Sequence, residues 1–383
     1  MHIGVLATSW PHASEPIAGS FVYALTSAMV ARGHRATVLF AAHPRSSPAR
    51  CDGCELVPLR YAPSARSLFY DAGAPSRLRE APILSTTIGL AFSARMLAAA
   101  RARLAGCDAL VSHFALPSSL VAGLVRGDRP HHAIVHGSDA RILARAPASI
   151  QRTIARRATS LQFAHPGLRA SLVDELSAHA SSSDLPMAVT APSDAARARW
   201  RMERRAELAI DEDVVLIVCV SRLSPEKGVA ALVRAARALD SRRAQMIIVG
   251  DGPERRSLER DAPACVRFVG AVASDERDRW LAAADVFALA SVSDSAPTAI
   301  VEALAFELPI VATRVGGIPW LVGDAARLVD AQDTAALNRE LAAFVESPAL
   351  RREYQRRAAA RSQTLPSWDG LAAHILQSVG ATQ

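Results

Sequence analysis

The sequence predicts an α/β chain of two doubly wound, Rossmann-like domains facing a cleft. Short apolar runs alternate with helical periods along nearly the whole chain, and the alternation restarts after a break near residue 190. With 383 residues, half of them hydrophobic, the chain is long enough for two separate cores.

The first half opens with the strand IGVLAT, a turn-rich stretch to Gly19, the helical SFVYALTSAMVARG and the strand RATVLFAA, which together read as a βαβ unit. ALVSHFA, a helix from Ser118 to Val125, the strand HAIVH and the polar turn GSD continue the pattern, with SLQFA as a candidate further strand. Such alternation belongs to a parallel sheet covered on both faces. From Ala178 to Arg205 the texture changes to SSSD, Pro186 and Pro192, read as a linker, followed by ARARWRMERRAE, read as a solvated basic helix. This break places the first domain at 1–190 and the second at 191–365.

The second series runs through VVLIVCV, VAALVRAARAL, QMIIVG, ERRSLER, VRFVG, DRWLAAA and DVFALA. The terminal segment 366–383 holds PSWDGLAAHILQSV, an amphipathic helix after a proline break, with Trp368 as its anchor against one of the two domains.

Composition narrows the function. The formal charge is +7, but Lys and Arg are scattered through helices rather than gathered beside aromatics, which argues against nucleic acid and suits phosphorylated ligands or an anionic membrane face. No apolar run reaches the roughly 20 residues of a membrane span. MHIGVLATSW lacks the marks of a secretory signal, so a cytoplasmic protein is expected. The five cysteines do not suggest a disulfide framework. CDGC at Cys51 to Cys54 has the spacing of half a metal site without a second half, and reads as a surface turn.

Ligands of open α/β sheets bind outside the carboxyl ends of strands. There VVLIVCV delivers Arg222, and Lys227 and Gly228 open the next helix. Two cations beside oriented amides suit a phosphate or diphosphate; an ordinary capped loop with surface charges is the alternative. After DVFALA, Asp294 stands at a strand end and Glu302 inside an apolar helix that starts near Pro297. An acid in such a helix needs a partner unless it faces solvent. In the first half, Gly19 permits close backbone approach, and His113 and His136 each follow an apolar strand.

Taken together, SRLSPEKG, VGDGPERRSLE and D-x7-E-A-L-A-x-x-x-P-I-V-A-T-x-x-G-G-I-P resemble family 4 of the retaining glycosyltransferases with the GT-B fold, as do the Gly19 loop, HGSD at His136 and the SWDGLA segment. The resemblance implies transfer of a sugar from a nucleotide-diphospho-sugar to a hydroxyl acceptor (a glycan, lipid-linked sugar or small metabolite) with the anomeric configuration retained and no obligatory metal or other cofactor. It implies that Arg222 and Lys227 hold the diphosphate with the backbone of Thr298, Ala299 and Gly19, and that Glu302 grips the ribose. Asp294 would orient the donor sugar and support positive charge at its reacting carbon, with His136 beside the transferred sugar.

Asp294 stands where the family usually has Glu, Ser295 and Glu307 replace glycines, and Trp320 replaces an acid. Those departures motivate a second expectation, a catalytically impaired nucleotide-sugar-binding or scaffolding homologue. A dinucleotide oxidoreductase is disfavoured, because neither half shows the glycine fingerprint followed by the ribose acid. Acceptor choice is expected from the stretch His43 to Pro75. Arg60, Arg66 and Arg77 suggest peripheral contact with the inner membrane face.

Overall fold

The computed structural model describes residues 1–13, 17–62, 68–70 and 81–380. Arg66 and Arg77, like most of the second half of the expected acceptor loop, lie outside the described residues. The chain divides into two compact units, Met1–Ala188 with Pro366–Gln383, and Val189–Leu365.

Among the described residues, unit one is built on seven strands, β1 (His2–Leu6), β2 (Arg35–Ala41), β3 (Cys54–Leu59), β4 (Ala109–His113), β5 (His131–Val135), β6 (Ser160–Phe163) and β7 (Ser182–Asp184). They pair in parallel in the order β3-β2-β1-β4-β5-β6-β7. The central strands ALVSH and HHAIV are buried along their length, their Ser and His residues included, because helices cover both faces. Ile3, Val5, Val38 and Phe40 pack on Val22, Leu25 and Met29 of the helix Ser20–Ala31 and on Leu371 and Ile375 of the terminal helix Trp368–Ser378. Leu6, Leu39 and Leu110 point the other way, onto Phe92, Met96 and Ala100 of the helix Pro82–Arg103.

The terminal helix is thus part of unit one. Ser367 caps it by accepting from the Gly370 N–H at 3.0 Å, and Asp369 pairs with Arg32 at 2.5 Å.

Several expectations need correction. SSSD is not linker: Ser182–Asp184 forms the edge strand β7, with Arg169 held to Asp184 at 2.9 Å. CDGC is joined as a disulfide between Cys51 and Cys54 at the start of β3. Among the described residues, one helix is long and apolar enough, by length and composition, to cross a membrane: Ile83–Arg103, of whose apolar window only 22% is buried. Its Ser, Thr and Gly residues masked a stretch, Ile83 to Ala100, that carries a single charge, Arg95.

Unit two holds β8 (Val215–Val220), β9 (Ala244–Val249), β10 (Val266–Gly270), β11 (Val286–Leu289), β12 (Ile310–Thr313) and β13 (Ala326–Val329), parallel and ordered β10-β9-β8-β11-β12-β13. The order reverses between β8 and β11, the switch point at whose carboxyl end open α/β sheets bind ligands. The helix Asp194–Glu207 is less solvated than its arginines suggested. Arg205 is 2% exposed and reaches Asp285 at 3.1 Å, and Arg204 lies 4.5 Å over the Trp280 ring. Its arginines serve as struts because guanidinium groups can satisfy carbonyls and carboxylates together.

Candidate functional site

Backbone hydrogen bonds lock four of the loops at the carboxyl end of the second sheet to one another. The Leu223 N–H donates to the Asp251 carbonyl at 2.9 Å and the Glu254 N–H to the Leu223 carbonyl at 3.0 Å, joining the loops after β8 and β9. Val292 and Ser293 both donate to the Glu226 carbonyl, at 2.9 and 3.2 Å, bringing in the loop after β11. Gly317 donates to the Ser295 carbonyl at 2.7 Å, adding the loop after β12. Gly316, at φ +53°, sits so close that a Cβ there would lie 1.7 Å from the Asp294 carbonyl oxygen. Only glycine fits, so the GGIP stretch is a backing plate for the acid loop.

On that frame the side chains converge. Lys227 Nζ lies 2.5 Å from Asp294 Oδ2, which also accepts from Ser291 Oγ at 3.2 Å. The Asp294 side chain is only 11% exposed, so this pair is well shielded from water. Arg222 stands earlier in the same loop as Lys227. Thr298 and Ala299 begin the helix Thr298–Ala305, immediately after Pro297. Their amides are among the N-terminal donors that a helix leaves without a carbonyl of its own.

Glu302 has a protein partner that sequence reading missed. Arg277 Nη1, from the helix Ser274–Ala283, lies 2.8 Å from Glu302 Oε1, while Arg277 Nη2 holds Asp278 at 2.8 Å. Burial raises the Glu302 carboxyl above its ordinary range; Arg277 opposes that shift and Asp278 adds to it. In DERDRW nothing distinguishes Arg277 from a solvated charge, because the contact exists only once two helices pack.

Unit one brings a second group together at the ends of β4 and β5. His136 immediately precedes the helix Gly137–Leu143, with its ring centroid 4.7 Å from Phe114 and 4.9 Å from Phe21. His113 stacks on it at 5.6 Å with planes 10° apart. Among the described residues, His136 Nε2 and both ring nitrogens of His113 are buried without a hydrogen-bond partner. Desolvation lowers both imidazoles, His136 to about 3, so both are neutral at physiological pH.

Phe21 follows closely on Gly19, which connects the two residues singled out in this half. Gly19 adopts φ +77°, and a Cβ there would lie 2.6 Å from the Ser9 backbone. Asp139, the acid of HGSD, accepts from the Ala115 N–H at 2.6 Å while its Oδ1 has no partner among the described residues; burial pushes its carboxyl up to about 7.

Residues 215–347, which contain this whole loop assembly of the second sheet, match the family model described as glycosyl transferases group 1. A protein named as a teichuronic acid biosynthesis glycosyltransferase, from Bacillus subtilis (strain 168), is 31% identical over 225 residues, 56% of this chain and 55% of that protein. The chain therefore spans about half the length of the curated relatives it matches. Sucrose-phosphate synthase from Thermosynechococcus elongatus superposes over 98% of each chain with a TM-score of 0.78 at 20% identity. Anabaena Alr3699/HepE, solved in complex with UDP, superposes over 100% of each chain with a TM-score of 0.72 at 16% identity. At these identities the likeness establishes the fold: each unit is a parallel α/β sheet of the GT-B architecture.

Within the matched stretch two of the departures noted in the sequence have a structural consequence. Glu307 adopts φ +58°, the left-handed conformation a glycine would take without strain, and its carboxylate meets Arg197 at 2.7 Å. Trp320 packs against the core of unit two, and its carbonyl accepts from Arg361 at 2.6 Å.

Proposed function

We propose that the chain is a retaining glycosyltransferase that moves a sugar from a nucleotide-diphospho-sugar to a hydroxyl acceptor, in the assembly of a polysaccharide or other glycoconjugate. The observation that carries this reading is the Lys227–Asp294 pair, set beside the start of the helix Thr298–Ala305 inside the matched group 1 domain.

An ammonium has three N–H donors, so Lys227 can keep one bond to Asp294 and offer another to the diphosphate. With Arg222 and the amides of Thr298 and Ala299 it would offset the negative charge that grows on the leaving diphosphate as the glycosidic bond breaks. Asp294, held in place by Lys227 and Ser291, would orient the donor sugar and stabilise positive charge at its reacting carbon. Glu302, oriented by Arg277, would accept hydrogen bonds from the ribose hydroxyls. A neutral His136, positioned by Phe21 and Phe114, would use its Nε2 toward a sugar hydroxyl, and the Gly19 amide would face the phosphates. In this scheme no step requires a metal ion. A cytoplasmic protein meeting the membrane peripherally would reach lipid-linked acceptors.

A thermal-shift screen of UDP-, GDP-, ADP- and TDP-sugars tests the reading. A donor at 100 times its Kd should stabilise the folded state by about 2.7 kcal/mol. No shift with any donor, in folded protein, would contradict it.

A further inference from the structure

Among the described residues, the helix Pro82–Arg103 of unit one leaves a long face exposed. Phe92, Met96 and Ala100 are buried in the core, whereas Ile83, Leu90 and Leu84 are 84%, 66% and 42% exposed. At 100° per residue, Ile83, Leu90, Ala94, Ala98 and Arg101 fall along one stripe, and every one of them is exposed. The 21 residues Ile83–Arg103 are apolar and long enough to cross a bilayer, yet their buried face is seated in unit one's core. A helix so held can only lie along an interface.

We infer that this face docks the protein on an anionic lipid bilayer. This deepens the peripheral-contact part of the proposed function by naming the surface that makes it. Ile83, Leu84 and Leu90 at the amino end would enter the boundary between headgroups and acyl chains. Arg95 and Arg101 would meet lipid phosphates, and the helix carries three arginines and no acid. The chain's formal charge of +7 favours the same partner. A second copy, which carries the same net positive charge, is the competing occupant that the test below distinguishes.

The test is co-sedimentation of the full chain with phosphatidylcholine vesicles and with vesicles containing phosphatidylglycerol. The protein should pellet with the anionic vesicles and remain in solution with the neutral ones. The double variant Ile83→Glu, Leu90→Glu should lose at least tenfold in the bound fraction while keeping the donor-induced thermal shift of the parent. Arg95→Gln with Arg101→Gln should weaken binding and reduce its dependence on salt. Equal binding by the Ile83→Glu, Leu90→Glu variant, no binding by the parent, or a dimer in light scattering that this variant abolishes would overturn the inference. The donor shift is read separately, so loss of vesicle binding and failure of the donor reading are distinct results.

Discussion

Asp294 carries its charge on an arm one methylene shorter than the family's usual glutamate, and the structure shows how that arm is held. Lys227 and Ser291 grip the carboxylate while Gly316 pins the backbone behind it. Replacing Asp294 by Asn keeps the size but removes the charge, and should lower kcat by about 100-fold with a smaller change in donor KM. Steady-state kinetics check this; an unchanged kcat would remove Asp294 from the chemistry. Lys227→Ala should weaken donor binding by about tenfold or more, since it deletes a charge-assisted bond to the diphosphate and leaves Asp294 without its cation. Calorimetric titration with the donor found in the screen measures it. These two residues were legible in the sequence because SPEKG and the acid loop follow strands directly. Arg277 was not, since its role depends on how the helix Ser274–Ala283 lies against Glu302.

The helices and loops carry two further expectations. Glu307 occupies a left-handed turn at a cost of roughly 1–2 kcal/mol, offset by a partly exposed ion pair to Arg197 worth about 0–1 kcal/mol. Glu307→Gly should therefore raise stability by about 1 kcal/mol or less, read from urea unfolding; a clear loss would show that the Arg197 contact outweighs the strain. Asp139 joins the start of the helix Gly137–Leu143 to the turn after β4. Its folded pKa of about 7 lies above the ordinary 3.8, so the native state holds this proton more tightly than the unfolded chain does. Stability linked to Asp139 therefore falls as pH rises from about 4 to 7 and is level above. Asp139→Asn keeps an acceptor for the Ala115 N–H and removes the titration, so it should gain on the parent between pH 4 and 8. Parallel stability curves would contradict that. Strands such as VVLIVCV were readable because burial on both faces demands unbroken apolar residues. The edge strands Cys54–Leu59 and Ser182–Asp184 were not, because half-covered edges tolerate polar residues that mimic loops.

For the molecule as a whole, the two-sheet organisation was legible because the βα rhythm repeats on either side of a break. The exposed stripe of the helix Pro82–Arg103 was not, since which face a mixed helix buries depends on the sheet beneath it. Unit one also concentrates buried imidazoles. His113 is held well below its ordinary range by burial, and His131, His132 and His136 lie at about 4, 3 and 3 for the same leading reason. Each binds its proton less tightly when folded, so stability linked to these groups is full above about pH 6.5 and is lost as pH falls toward their folded values. Four such groups outweigh the opposite trend of Asp139, and unit one should be acid-labile; urea unfolding at pH 7 and pH 4.5, followed by tryptophan fluorescence, measures this, and equal midpoints would contradict it. The proposed activity itself is settled by proton NMR of the reaction between the donor identified by thermal shift and a panel of hydroxyl acceptors. The proposed retaining transfer predicts a product whose anomeric configuration matches the donor and whose formation Asp294→Ala abolishes in folded protein. An inverted product, or turnover that survives Asp294→Ala, would contradict it.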